Sequence, residues 1–110
     1  VINISAFIGL SADGSSIAHA TAKAGLIHLN RCLASALAPD VTVNSIAPGL
    51  MEGTVMFEKI SAEAVEAGRQ RAKLNRHTSL EDVADHVVTF CCAESVTGQV
   101  LVIDGGIVFH

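Results

Sequence analysis

The chain opens on Val1-Ile-Asn-Ile-Ser-Ala6, an alternating stretch rich in β-branched residues, which predicts a strand. Gly9, Asp13, Gly14 and paired serines make residues 7–16 a loop. From Ile17 to Ala38 the period lengthens. Ala22, Leu26, Leu29, Leu33 and Leu37 recur at three- and four-residue steps and predict one apolar helical stripe. Ala38-Pro39-Asp40 stops that helix. Val41 to Ala47 predicts a second strand, ended by Pro48-Gly49, while residues 50–60 fit neither period.

Ser61 to Leu74 predicts an amphipathic helix. Glu63 and Glu66 stand early in it and Arg69, Arg71 and Lys73 late, the order that suits the helix dipole. Ser79-Leu-Glu-Asp82 has the form of a capping box and opens a further helix to about Ala93. Its expected buried stripe is Val83, Val87, Phe90 and Cys91. Gln99 to Asp104 predicts a third strand, closed by Gly105-Gly106, where Asp104 is expected to set a turn. The order β-α-β-α-α-β predicts one α/β domain over residues 1–110, with three parallel strands and helices on both faces.

Composition narrows the class. Half of the residues are apolar and only 16% are charged, which excludes a disordered chain. No run of about 18 apolar residues exists to span a bilayer as a helix, and no membrane partner is expected. No basic segment precedes an apolar one at the start, so no signal peptide is expected. The chain starts at Val1 rather than Met, which reads as a processed chain or a piece of a longer one. Eleven acidic against seven basic residues give −4, and Trp and Tyr are absent; both facts argue against a nucleic-acid partner. The three cysteines lack metal or disulfide spacing and are expected to be small buried hydrophobes in a reducing, cytoplasmic setting. Five histidines, His19, His28, His77, His86 and His110, show no ligand spacing, so no metal is expected.

Four segments, taken in order, resemble the short-chain dehydrogenase/reductase family. They are Val1-Ile-Asn-Ile-Ser5 before a Gly-containing loop, Thr21-Ala-Lys-Ala-Gly-Leu26 on a long helix, Val43-Asn-Ser-Ile-Ala-Pro-Gly49 after a strand, and Thr97-Gly-Gln-Val-Leu-Val-Ile-Asp-Gly-Gly106 at the end. The resemblance covers the C-terminal half of the family pattern. It implies the C-terminal half of a Rossmann-like, doubly wound parallel sheet, with three to four helices. It also implies NAD or NADP as cofactor and hydride transfer as chemistry. The family's Gly-rich turn, which cradles the dinucleotide pyrophosphate, has no counterpart in these residues.

In the family a Tyr hydroxyl is the acid or base, a Lys four residues later supports it and holds ribose, and a Ser about thirteen residues before the Tyr binds the substrate oxygen. Lys23 stands at the Lys position, His19 at the Tyr position and Ala6 at the Ser position. Ser5 neighbours Ala6, but one step along a strand reverses the face. The resemblance therefore implies Lys23 as ribose ligand and His19 as acid/base. Pro48 and Gly49 match the turn that touches the nicotinamide carboxamide. The Thr expected four residues past that Gly falls on Gly53, with Thr54 one step later. Residues 50–75 match the substrate-covering segment, where Met51, Met56 and Phe57 are expected either to line a pocket or to fill the core.

Two substitutions at three visible catalytic positions imply a truncated or degenerate oxidoreductase with weak or absent hydride transfer on its own. Two other readings compete. One is a non-catalytic oligomerisation module, since the first strand loses its neighbours and its edge invites pairing. A homo-oligomer or a separate N-terminal half is the expected partner. The other is a small hydrolase built from Ser11, Ser15 or Ser16 with His19 and Asp13. Against it, no Gly-x-Ser-x-Gly elbow exists, and such serines usually cap and turn.

Overall fold

The computed structural model describes residues 1–14 and 16–110. Three strands, β1 Ile2–Ile4, β2 Asn44–Pro48 and β3 Val100–Ile103, form one parallel sheet in chain order. Four helices accompany them: α1 Ile17–Leu37, α2 Val55–Glu58, α3 Ala62–Arg71 and α4 Leu80–Cys92. The predicted strands and helices are all present, and the indeterminate stretch 50–60 supplies the short α2. Residues Phe7–Gly9 form one 3-10 turn.

Each helix start follows from its cap. Ser16, Thr54, Ser61 and Ser79 present side-chain oxygens that accept the N–H groups of His19 (3.0 Å), Phe57 (3.2 Å), Ala64 (3.2 Å) and Asp82 (3.1 Å). Such a cap is worth about 1 kcal/mol. The Ser79 box predicted from sequence is therefore formed on its N-cap side.

The core centres on β2, whose five residues are all buried. Successive strand side chains point to opposite faces, so this strand is covered on both. Helices α1 and α4 both pack against it. Much of what is buried is polar and paired. The Asn44 amide donates to the Val96 carbonyl at 2.8 Å and its oxygen accepts the Gln99 N–H at 3.1 Å. Asn30 donates to the Gln99 carbonyl at 3.2 Å. Among the described residues no buried side-chain polar atom lacks a partner; each, left unpaired, would cost about 1–3 kcal/mol.

Two sequence expectations are corrected. The buried stripe of α1 is Ile27, Asn30 and Ala34, not the predicted leucine row; Leu29 and Leu37 are 47% and 39% exposed. Polar Asn30 hides the true face, because its burial depends on distant hydrogen bonds rather than on hydrophobicity. The three cysteines are also exposed, not buried. Cys32 lies off the packed face of α1, and Cys91 falls outside the half-buried row of Val83, Val87 and Phe90 on α4.

Among the described residues β1 pairs with β2 alone, which leaves its other edge unpaired. The Val1 carbonyl accepts from Asn44 at 2.9 Å and the Ser5 N–H donates to Ile46 at 2.8 Å. Peptide groups alternate in direction along a strand, so Ile2 and Ile4 turn theirs to the free edge. Gly9 brings α1 close to the turn that follows this strand. A Cβ there would lie 2.8 Å from the Lys23 carbonyl carbon and 2.9 Å from Ala24 N. The turn at Phe7–Gly9 can touch the helix backbone only because that atom is missing. No helix among the described residues is long and apolar enough to cross a membrane.

Candidate active site

A cleft of about 390 Å³ opens at the carboxyl ends of the three strands. Ala6 lies just past β1, Pro48 and Gly49 end β2, and Ile107 follows β3; all four line it. Open α/β sheets bind ligands at this end. Helix α1 contributes His19 to the same wall. Helix α3 covers the cleft with Ala64, Gly68 and Arg71, a spacing that puts them on one helical face. Small residues at the first two positions leave room beneath the helix. Phe7, Ile8, Leu50, Met56 and Ile60 complete an apolar lining.

The structure thus brings His19, Pro48 and Gly49 together with Ala6. Lys23 is not among the cleft residues. Its ammonium donates to the Ile4 carbonyl at 3.2 Å, on the open edge of β1. Ser5, just past β1, is buried. Its hydroxyl donates to the Ile46 carbonyl at 3.1 Å and accepts from the Ser45 hydroxyl at 3.0 Å, so it cannot stand in for Ala6. Met56 lines the cleft. Phe57 instead meets the His77 ring edge-on at 5.3 Å, and Met51 bridges to Thr78.

The Pro48-Gly49 turn is braced from behind. The Gly49 N–H donates to the Ile103 carbonyl at 2.9 Å and to the Thr78 hydroxyl at 3.1 Å. The Thr78 hydroxyl in turn donates to Ile103 at 2.6 Å. Asp104 sets the next turn, as expected: its carboxylate accepts N–H groups of Gly106 (2.8 Å), Ile107 (3.1 Å) and Val108 (2.8 Å). Thr54 caps α2 and donates to Met51 at 2.9 Å, which occupies its hydroxyl proton.

Charge at the cleft is sparse. Arg71 donates to the Asp13 carboxylate at 2.7 Å and so links the loop before α1 to the end of α3. The sequence marks Arg71 as a dipole-completing cation, and its spacing from Ala64 and Gly68 is the local signal that sets it on their face. Arg69, on another face of α3, donates through Nε to Glu66 at 2.9 Å. That hydrogen bond, ahead of the cost of desolvation, holds the Glu66 carboxyl below its ordinary value and raises Arg69.

Of the serines in the hydrolase alternative, Ser16 is the α1 cap and Ser11 donates to the Asp13 carbonyl at 3.4 Å. Ser15 lies outside the described residues. Among the described residues no hydrogen bond joins the His19 ring to Asp13, and no group of three metal-ligating side chains forms.

The sequence profile of the enoyl-(acyl carrier protein) reductase family matches residues 1–108. The 3-oxoacyl-(acyl carrier protein) reductase of Aquifex aeolicus is 38% identical over 110 residues, covering 96% of this chain and 44% of that protein. Two solved structures are similar in fold. FolM alternative dihydrofolate reductase 1 of Brucella canis, complexed with NADP, gives a TM-score of 0.80 at 30% identity, over 96% of this chain and 40% of that one. A short-chain dehydrogenase of Leptospira borgpetersenii with bound NAD+ gives 0.86 at 28% identity, over 98% and 44%. The chain spans less than half the length of these relatives. With a family profile matched along nearly its whole length and the family's sheet end rebuilt in its fold, the chain belongs to the short-chain dehydrogenase/reductase family.

Proposed function

We propose that this chain carries the substrate-facing half of a nicotinamide-dependent oxidoreductase site, and that alone it transfers hydride weakly or not at all. One observation carries the reading. The cleft gathers His19, Ala6, Pro48 and Gly49 at the carboxyl ends of the strands, while Lys23 stands at the open β1 edge. These residues fit the nicotinamide–ribose end of a dinucleotide. Pro48 and Gly49 would meet the nicotinamide and Lys23 the ribose. The residues that would cradle the pyrophosphate have no counterpart among the 110.

A bound NAD or NADP would supply or accept the hydride. The proton is the task of His19. A neutral imidazole can take a proton from an alcohol. His19 puts an imidazole where the family has a phenol, and a neutral imidazole is the weaker hydrogen-bond donor toward a carbonyl. Ala6 offers no hydroxyl to the substrate oxygen, and a lost donor of this kind costs about 10²–10³ in rate. Both departures favour weak turnover.

The partner that completes the site is a separate N-terminal half, or a second copy, at the open edge of β1. Ile4 is 42% exposed there. A reducing, cytoplasmic setting suits three free thiols and a nicotinamide pool. The same edge favours the assembly-module reading, in which Ile4→Lys abolishes association without any effect on dinucleotide binding.

Titration with NADH and NADPH, followed by nicotinamide fluorescence, tests the proposal. The 110-residue chain alone should show no saturable binding up to about 1 mM, a level at which even weak specific sites fill. Adding the N-terminal half of a family relative should create saturable binding. Continued absence of binding in that mixture would refute the half-site reading.

A further inference from the structure

We propose that Arg71 is the anion-recognising residue of this cleft, selecting substrates that carry a carboxylate at one end of an apolar body. The inference rests on the cleft being a substrate site, and it adds the class of molecule the site takes.

Three observations carry it. First, the lining is apolar except for a few groups: Phe7, Ile8, Leu50, Met56, Ile60 and Ile107 form the walls, and Arg71 is the one permanent cation among the lining residues. Small-molecule sites of this kind combine apolar walls with a few polar anchors. Second, Arg71 is placed at the cleft by its helix and meets an anion there. Helix α3 presents it with Ala64 and Gly68, and it donates at 2.7 Å to Asp13, another lining residue, 58 residues away in sequence. Third, the guanidinium is under-used. Among the described residues Asp13 is its only partner, engaged through one terminal nitrogen, whereas a guanidinium carries five donors in a fork that matches a carboxylate.

The Asp13 contact suits exchange. The Arg71 and Asp13 side chains are 49% and 62% exposed. Pairs this exposed contribute about 0–1 kcal/mol, so an incoming carboxylate displaces Asp13 at little cost. An anion already sits on this guanidinium in the free chain, and a ligand carboxylate would take its place. An apolar tail of the same ligand would lie under α3, where Ala64 and Gly68 leave space. His19, from helix α1, lines the same cleft as Arg71.

Binding of hexanoate, hexanamide and inorganic phosphate to the 110-residue chain, mapped by amide NMR shifts, tests this without any cofactor or turnover. Hexanoate should shift cleft residues, and its affinity should fall at least tenfold in Arg71→Gln. Asp13→Asn should tighten hexanoate several-fold, because the internal competitor is gone. Hexanamide affinity should be the same in all three proteins. An unchanged hexanoate affinity in Arg71→Gln would overturn the proposal, as would the absence of shifts in cleft residues. Phosphate binding as tightly as hexanoate would show a bare anion site and equally overturn it. If the Arg71 result holds while dinucleotide binding fails in the completed protein, the oxidoreductase reading falls and the anion site stands.

Discussion

The Thr78 hydroxyl accepts the Gly49 N–H at 3.1 Å, and a Cβ on Gly49 would stand 2.8 Å from that same oxygen. The glycine is thus required by what lies behind the turn, not only by what approaches its front. Asp104 closes the same space, with its Cα 3.0 Å from the imagined atom. Gly49→Ala should destabilise the fold by about 1–3 kcal/mol through overpacking. Thr78→Val should cost about 1–2 kcal/mol by leaving the Ile103 carbonyl short of one donor. Urea unfolding midpoints check both, and an unchanged midpoint in Gly49→Ala would refute the close contact.

Glu66 supplies the pH dependence of α3. Its carboxyl is held below the ordinary value of 4.5, first by the Arg69 hydrogen bond. A depressed carboxyl contributes stability above its unfolded-state value, and that contribution is lost as pH falls through the lower folded-state value. Both groups are solvent-exposed, so the effect is small. Arg69 also donates to the Asn75 carboxamide oxygen at 2.7 Å, which ties the pair to the turn after α3. Thermal melts of the native chain and Glu66→Gln between about pH 3 and pH 6 should differ at the upper end and converge at the lower. Parallel curves across the range would contradict the assignment.

Exposure of Cys32, Cys91 and Cys92 predicts that all three react with a thiol reagent in the native chain. Three equivalents should be modified without denaturant. A thiol that reacts only after unfolding would point to a covered face, and Cys32 alone being protected would place that cover on α1.

The periodic parts of this fold were legible in the sequence. Helix α1 begins at Ile17 as expected because Ser16 caps it, and α4 begins after Ser79 for the same reason. The strand ends at Pro48-Gly49 and before Gly105-Gly106 were visible as turn chemistry. The buried polar set was not. Asn30, Asn44 and Thr78 are inside because their partners lie 69, 52 and 25 residues away, and no local period carries such pairings. For the same reason the packed face of α1 was assigned to its leucines. Asp13 and Arg71, 58 residues apart, were equally hidden. Ala6 and His19 could be read directly, but only the fold shows that Ser5 is tied to Ile46.

The most direct test of the half-site account is turnover in a completed protein. The 110-residue chain should be joined to an N-terminal half that carries the Gly-rich turn and assayed with NADPH or NADH and a panel of carbonyl substrates. The native residues at 6 and 19 should give slow turnover, and Ala6→Ser with His19→Tyr should raise it about 10²-fold or more. Equal rates in the two proteins, with dinucleotide bound in both, would contradict the assignment of Ala6 and His19 to the reacting end of the cleft.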